Sequence, residues 1–164
     1  MKKLILIALA VVAASFSAKA QLYVGGNAGL TVIAVDGGTG SGWGLSPEVG
    51  YNFNNNMAVG VGVNFGGSFE KEAPVTFSVD PYFRYFFVSG KNVRFFGDAI
   101  LSIGALDKQF IWGVNVSPGL AFSAGKRWSF VTHLASIGWD GAKTGGAFSF
   151  NLLLNPRVGF FYNF

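Results

Sequence analysis

Val75-Thr76-Phe77-Ser78-Val79-Asp80-Pro81-Tyr82-Phe83-Arg84-Tyr85-Phe86-Phe87 carries an apolar residue at every odd position, while Thr, Ser, Asp, Tyr, Arg and Phe fill the even ones. Successive side chains of a β-strand point to opposite faces, so this period of two reads as a strand with one apolar and one mostly polar face. The stretch contains a motif that recurs: a small polar residue or Asp, then Pro, then an aromatic four residues after the Pro. Its copies are Ser46-Pro47 to Tyr51, Asp80-Pro81 to Tyr85, Ser117-Pro118 to Phe122 and Asn155-Pro156 to Phe160. The prolines stand 34, 37 and 38 residues apart, which is room for two strands and two connections. The repeat unit is therefore a hairpin, and four hairpins predict eight strands.

Alternation predicts strands at Leu22 to Val35, Trp43 to Phe53, Met57 to Phe69, Val75 to Phe87, Val93 to Leu106, Phe110 to Ser123, Trp128 to about Ile137, and Gly146 to Phe164. Asp36 to Gly42 reads as a glycine-rich loop, and Asn54-Asn55-Asn56 as a tight turn. Thr132 and Ser136 interrupt the outward face of the seventh strand. The eighth strand, if unbroken, is longer than an apolar band of about 25 Å requires. Pro cannot donate to a sheet ladder, so each of the four prolines should mark a bulge or an unpaired position.

Composition narrows the class. Only 12% of the 164 residues are charged, Gly numbers 24 and Phe 18, against a usual charged fraction of about 25%. After residue 20 no segment approaches 18 consecutive apolar residues, which excludes a spanning helix. Apolar surface without apolar runs belongs to alternating strands, and in lipid these must close so that no backbone group stays unpaired. The expected fold is an all-β, eight-stranded antiparallel up-and-down transmembrane β-barrel over residues 21–164. Residues 1–20 read as a secretory signal: Lys2 and Lys3, an apolar run from Leu4 to about Ala14, then Ala18-Lys19-Ala20 as a cleavage site. Three of the 12 basic residues leave with it, so the remaining nine bases against eight acids give no nucleic-acid signal. There is no cysteine, and neither a metal nor a cofactor is expected.

Charge placement follows the alternation. Eleven of the 17 charges after residue 20 fall in expected connections, Asp140 among them. The other six, Glu48, Asp80, Arg84, Arg94, Asp98 and Arg157, occupy inward positions, and none faces lipid, where a charge near the midplane costs about 2–4 kcal/mol. They read as an ion-pair network filling the lumen, with Arg84 diagonally beside Asp98. A gate opening by exchange of partners is the sharper alternative. The inward set also divides by size, with Gly25, Gly29, Gly44, Gly50, Gly60, Gly62, Gly113 and Gly119 facing Tyr82, Phe86, Phe96 and Phe161. That is large against small in a packed interior, or else room for a small ligand.

These residues resemble the small eight-stranded outer-membrane barrels, the OmpA transmembrane and OmpX-like superfamily, and the outer membrane protein beta-barrel domain common in Bacteroidota. The resemblance rests on Ala20 to Gly26, Pro47-Glu48-Val49-Gly50-Tyr51, Asp80-Pro81-Tyr82-Phe83-Arg84-Tyr85, Pro118-Gly119-Leu120 and Phe160 to Phe164. It implies residence in the outer membrane of a Gram-negative bacterium. It also implies insertion by the outer-membrane assembly machinery, which would read the last strand at Phe160, Tyr162 and Phe164. Lys71, Lys108 and Lys143 fall in outer loops and are candidates for lipopolysaccharide phosphates. A monomer embedded in outer-membrane lipid is expected.

Some barrels of this size modify lipid A. A hydrolase needs Ser and His within hydrogen-bond reach, and His133 is the one histidine. Ser136 falls on the opposite face from it, and Ser129 lies four residues away. His133 therefore reads as a polar lumen group and no catalytic residue is assigned. The expected function is a non-enzymatic barrel with a filled lumen, serving envelope structure or surface interaction. A narrow channel for ions or a small apolar solute comes second, and a lipid A-modifying enzyme third.

Overall fold

The computed structural model describes residues 22–35, 38–70, 75–106, 109–142 and 145–164, with backbone alone described at 31–35, 38–39 and 151–157. The expected leader therefore lies outside the described residues. Eight strands follow in order: β1 Leu22–Val35, β2 Gly38–Asn52, β3 Met57–Ser68, β4 Thr76–Ser89, β5 Val93–Leu106, β6 Gln109–Ser123, β7 Trp128–Ala142 and β8 Gly145–Asn163. Each pairs with its neighbours in sequence, and β8 returns to β1, closing an antiparallel barrel. The fold is the one that the alternation dictates, because closure satisfies every edge that an open sheet would leave bare.

The two faces sort as expected. Leu30, Leu45, Phe87, Phe110, Trp139 and Phe160 stand on the outer surface, all more than 40% exposed. Tyr23, Tyr82, Phe86, Phe96, Val131 and Phe161 form the buried interior cluster. At one end of the barrel the connections are tight turns. In one of them Asn54 Oδ1 accepts the backbone N–H groups of Asn56 and Met57, so the side chain does the work of a turn carbonyl. We call this the turn end and the opposite one the loop end.

Several element boundaries differ from expectation. Gly38 to Gly42 is strand and not loop, paired from Val35↔Gly38 to Thr31↔Gly42. Gly, Thr and Ser there give no apolar face to reveal a strand, but the ladder still takes their backbone groups. β7 continues to Ala142, so Asp140 sits in a strand and not in a connection. The reason is a change of facing at Leu134. Phe130 is outward and Val131 buried before it, whereas Ile137 and Trp139 are outward after it, and the register with β8 shifts between His133 and Ala135. Thr132 and Ser136 interrupt an alternation that in fact changes phase. At the same place β8, one continuous strand, carries Leu153 to Pro156 outside the register with β7.

All four prolines of the repeated motif sit where one ladder is interrupted. Beside Pro118 and Pro156 the register shifts toward a neighbour. Beside Pro47 and Pro81 the pairing is missing on one side without a shift, between Leu45↔Phe65 and Glu48↔Gly62 and between Val79↔Ile103 and Tyr82↔Ile100. A further bulge at Phe87, between Phe86↔Phe96 and Val88↔Phe95, carries no proline.

Candidate functional site: the two halves of the lumen

The interior is built from pairs in which a large inward side chain lies across a glycine on the neighbouring strand. Tyr23 faces Gly50, Tyr82 faces Gly60, Phe96 faces Gly119 and Phe161 faces Gly25, each a direct cross-strand partner. A Cβ at Gly50 would stand 2.2 Å from the Tyr23 ring, and one at Gly119 2.3 Å from the Phe96 ring. Only glycine admits these rings flat against the wall. The Tyr23 and Tyr82 hydroxyls hydrogen-bond each other at 2.7 Å, and Phe86 meets Phe96 edge-on with centroids 5.9 Å apart. Together these side chains fill the turn-end half of the barrel.

Within this plug lies a buried ion pair. Arg84 donates from Nε and Nη2 to the two carboxylate oxygens of Asp98, both at 2.7 Å. The geometry is bidentate, which suits the guanidinium fork. The two residues are direct cross-strand partners and not diagonal ones, because the bulge at Phe87 displaces the hairpin register. The guanidinium also lies 4.2 Å from the centroid of the Phe96 ring. His133 Nε2 stands 2.9 Å from the second oxygen of Asp98. A carboxylate only accepts, so Nε2 carries the proton.

The remaining expected lumen charges have other surroundings. Glu48 accepts a hydrogen bond from the Asn27 amide, and Asp80 accepts one from the Asn64 amide. The Arg94 guanidinium lies 3.9 Å over the Phe86 ring, near the turn end. The side chain of Arg157 and the loop residues Lys71, Lys108 and Lys143 lie outside the described residues. Phe160 and Phe164 are on the outer face. Tyr162 sits beside them, its hydroxyl accepting from Arg127 at 2.6 Å, and Phe160 stacks on Trp128 with centroids 4.5 Å apart.

Toward the loop end the lumen is not filled. A cavity of about 900 Å³ opens there, its wall including Asn27, Glu48, Asn115, Ser117, His133 and Asp140. The expectation of a filled lumen therefore holds for one half only. The difference is one of side-chain size, since Gly44, Gly62, Gly66, Ser46 and Ser78 line the open half and the aromatic rings occupy the other. Asp140 accepts from Ser149 Oγ at 2.6 Å and from Asn115 at 3.3 Å. The sequence hid its place because its facing depends on the phase change at Leu134. On the far side of the plug a void of only about 20 Å³ is bordered by Tyr23, Arg84, Phe86 and Arg94. Asp98 and Tyr82 border the large cavity, whereas Arg84 and Tyr23 border the small void. The partition between them is thus the Arg84–Asp98 pair and the Tyr23–Tyr82 pair.

A closed eight-stranded antiparallel barrel with an apolar outer face, whose ionised groups among the described residues are confined to its interior and its ends, is a membrane-spanning β-barrel. The chain belongs to the outer membrane protein beta-barrel domain family, which it matches over residues 4–155, and the outer membrane is its location. No curated protein matches it by sequence. Among solved structures it is similar to neisserial surface protein A, with a TM-score of 0.69 and 15% identity over 87% of this chain and 97% of that one. It also resembles the N-terminal β-barrel domain of OprF from Pseudomonas aeruginosa, with a TM-score of 0.55 and 15% identity over 88% and 98%. The Yersinia pestis outer membrane protein Ail gives a TM-score of 0.53 and 13% identity over 89% and 100%. At such identities the likeness is one of fold.

Proposed function

We propose that this protein is a non-enzymatic outer-membrane barrel, closed to through passage, that serves envelope structure or contacts at the cell surface. The observation that carries this reading is the plug, in which the aromatic–glycine pairs and the bidentate Arg84–Asp98 pair separate the loop-end cavity from the turn end. Eight strands leave an interior that side chains can fill. The test is planar-bilayer conductance of the refolded protein beside a Tyr82→Ala, Phe96→Ala double variant. The wild type should be silent and the variant should conduct. Discrete openings in the wild type would overturn the closed reading.

A narrow gated channel is the second reading, favoured by one observation: a large cavity and a small void meet at a partition made partly of an ion pair. Exchange of partners by Arg84 would join them. For an enzyme the arrangement is less suited. His133 Nε2 is held by Asp98, yet its Nδ1 has no hydrogen-bond partner among the described residues, where a hydrolase would place its nucleophilic hydroxyl.

The loop end would face outward, with residues 1–20 removed on export and Phe160, Tyr162 and Phe164 read by the assembly machinery. Lys71, Lys108 and Lys143 would then meet lipopolysaccharide phosphates. Replacing the three by Ala should weaken lipopolysaccharide binding severalfold and more so at low salt. Unchanged binding would remove that role. The barrel would act as a monomer.

A further inference from the structure

We propose that the loop-end cavity is a receptor cup for a small organic ammonium ion, a di- or polyamine. The fold buries hydrogen-bonding atoms at the cavity wall without partners. Among the described residues bordering the cavity, Asn27 Oδ1, Glu48 Oε2 and His133 Nδ1 are buried and make no hydrogen bond. Asn27 is 3% exposed and Glu48 9%, so neither is an ordinary surface group. A buried acceptor left unpaired is costly, and more so when it is charged.

The chemistry of the two oxygens is fixed by their neighbours. Asn27 donates its amide N–H to Glu48 Oε1. A carboxylate cannot donate in return, so the unpaired end of the Asn27 amide is its oxygen. Asp98 accepts the His133 Nε2–H, and Nδ1 is the ring nitrogen left without a partner. Asn27 Oδ1 and Glu48 Oε2 are therefore acceptors. A complementary ligand brings N–H or O–H groups, and the carboxylate of Glu48 favours one that is positively charged.

Asp80 and Asp140 add two further carboxylates to the wall. Asp140 is exposed and lies across Gly113, where a Cβ would come within 2.5 Å of its Oδ1. Glu48 lies in the same way across Gly62, where a Cβ would stand 3.3 Å from its Cγ. The two glycines give the carboxylates room to lie along the wall and leave the centre open. The charge of Asp98 is taken by Arg84, and no Lys or Arg occurs among the described residues lining the cavity. A volume of about 900 Å³ is within the usual range for small-molecule sites, roughly 300–1,000 Å³. One acid beside the buried acceptors and another nearer the rim suit a molecule with more than one ammonium group.

The experiment is calorimetric titration of spermidine into the refolded full-length barrel in zwitterionic micelles, together with Glu48→Gln, Asp140→Asn and Glu70→Gln variants. The wild type should show saturable one-site binding. Glu48→Gln and Asp140→Asn should each weaken it about tenfold, as loss of a charge-assisted contact would. Glu70→Gln, outside the strands, should bind as the wild type does. Triacetylated spermidine, which keeps N–H donors but lacks the charge, should bind at least tenfold more weakly. No saturation at millimolar spermidine would overturn the proposal, as would wild-type affinity in the Glu48 and Asp140 variants or a tenfold loss in Glu70→Gln as well. Equal binding of the acetylated compound would overturn the cationic ligand class. If Glu48→Gln fails to refold, the exposed Asp140 position still decides the matter.

Discussion

Arg84 and Asp98 are each less than 5% exposed in their side chains, so neither can turn to water if the other is removed. Replacing one partner of such a pair leaves a buried uncompensated charge, which typically costs about 3–5 kcal/mol, whereas replacing both by apolar groups is often neutral or stabilising. Arg84→Met should therefore lower the urea midpoint of unfolding in micelles by an amount corresponding to about 3–5 kcal/mol. Adding Asp98→Leu should recover most of that loss. A double variant no more stable than the single one would mean that the guanidinium acts mainly through its contact with the Phe96 ring. At this scale the sequence was partly informative. Strict alternation through β4 and the less regular alternation of β5 placed Arg84 and Asp98 on the inner face, and their association follows from a shared hairpin. His133 as a third member did not follow, because β7 reaches it across β6 and through an irregular register. Asp140 was missed for a related reason: residues beyond Leu134 change faces, and no local feature of the sequence says where along β7 the change occurs.

Most of the strand irregularities stand beside prolines. At Ser117-Pro118 the ladder toward β7 is interrupted, and the Ser117 hydroxyl donates to the Ala135 carbonyl at 2.7 Å. The residue before the proline thus takes up a backbone group that the interruption would otherwise strand, which gives a physical reason for a polar residue before Pro in the repeat. Pro118→Val adds an N–H where the pairing is broken and that carbonyl is already engaged. The expected outcome is a loss of about 1–3 kcal/mol, the usual cost of an unpaired buried donor, read as a lower melting temperature and refolding yield. Unchanged melting would show that the proline merely tolerates the bulge. The prolines marked where ladders break, but the bulge at Phe87 had no such marker. Strand ends were least legible where side chains are small, as at Gly38 to Gly42. A run of Gly, Ser and Thr carries no hydrophobic period, and only the partner strand reveals that it is paired.

For the whole molecule, the eight-stranded closed barrel was legible because lipid imposes it on any chain with apolar alternation and no spanning helix. Its uneven filling was not. Glycines were visible at inward positions of several strands, but which of them would be covered by a ring and which would line open space depends on cross-strand register. Tyr23 covers Gly50, while Gly44 on the same strand borders the cavity. Register also governs the last feature to consider, the join that closes the ring. β1 and β8 share six residue pairs, from Tyr23↔Asn163 to Ala28↔Val158, whereas β1 and β2 share fourteen. This join links the strands farthest apart along the chain, so it carries the largest loop-closure entropy and the fewest rungs to offset it. The ring should breathe there first. In hydrogen exchange of the barrel in micelles, the amides of Val24 to Ala28 should lose protection before those of β5 and β6, and equal protection would contradict this. A short stitch between the ends of the chain is then the zipper by which the cylinder is fastened last during assembly, and along which it parts under load.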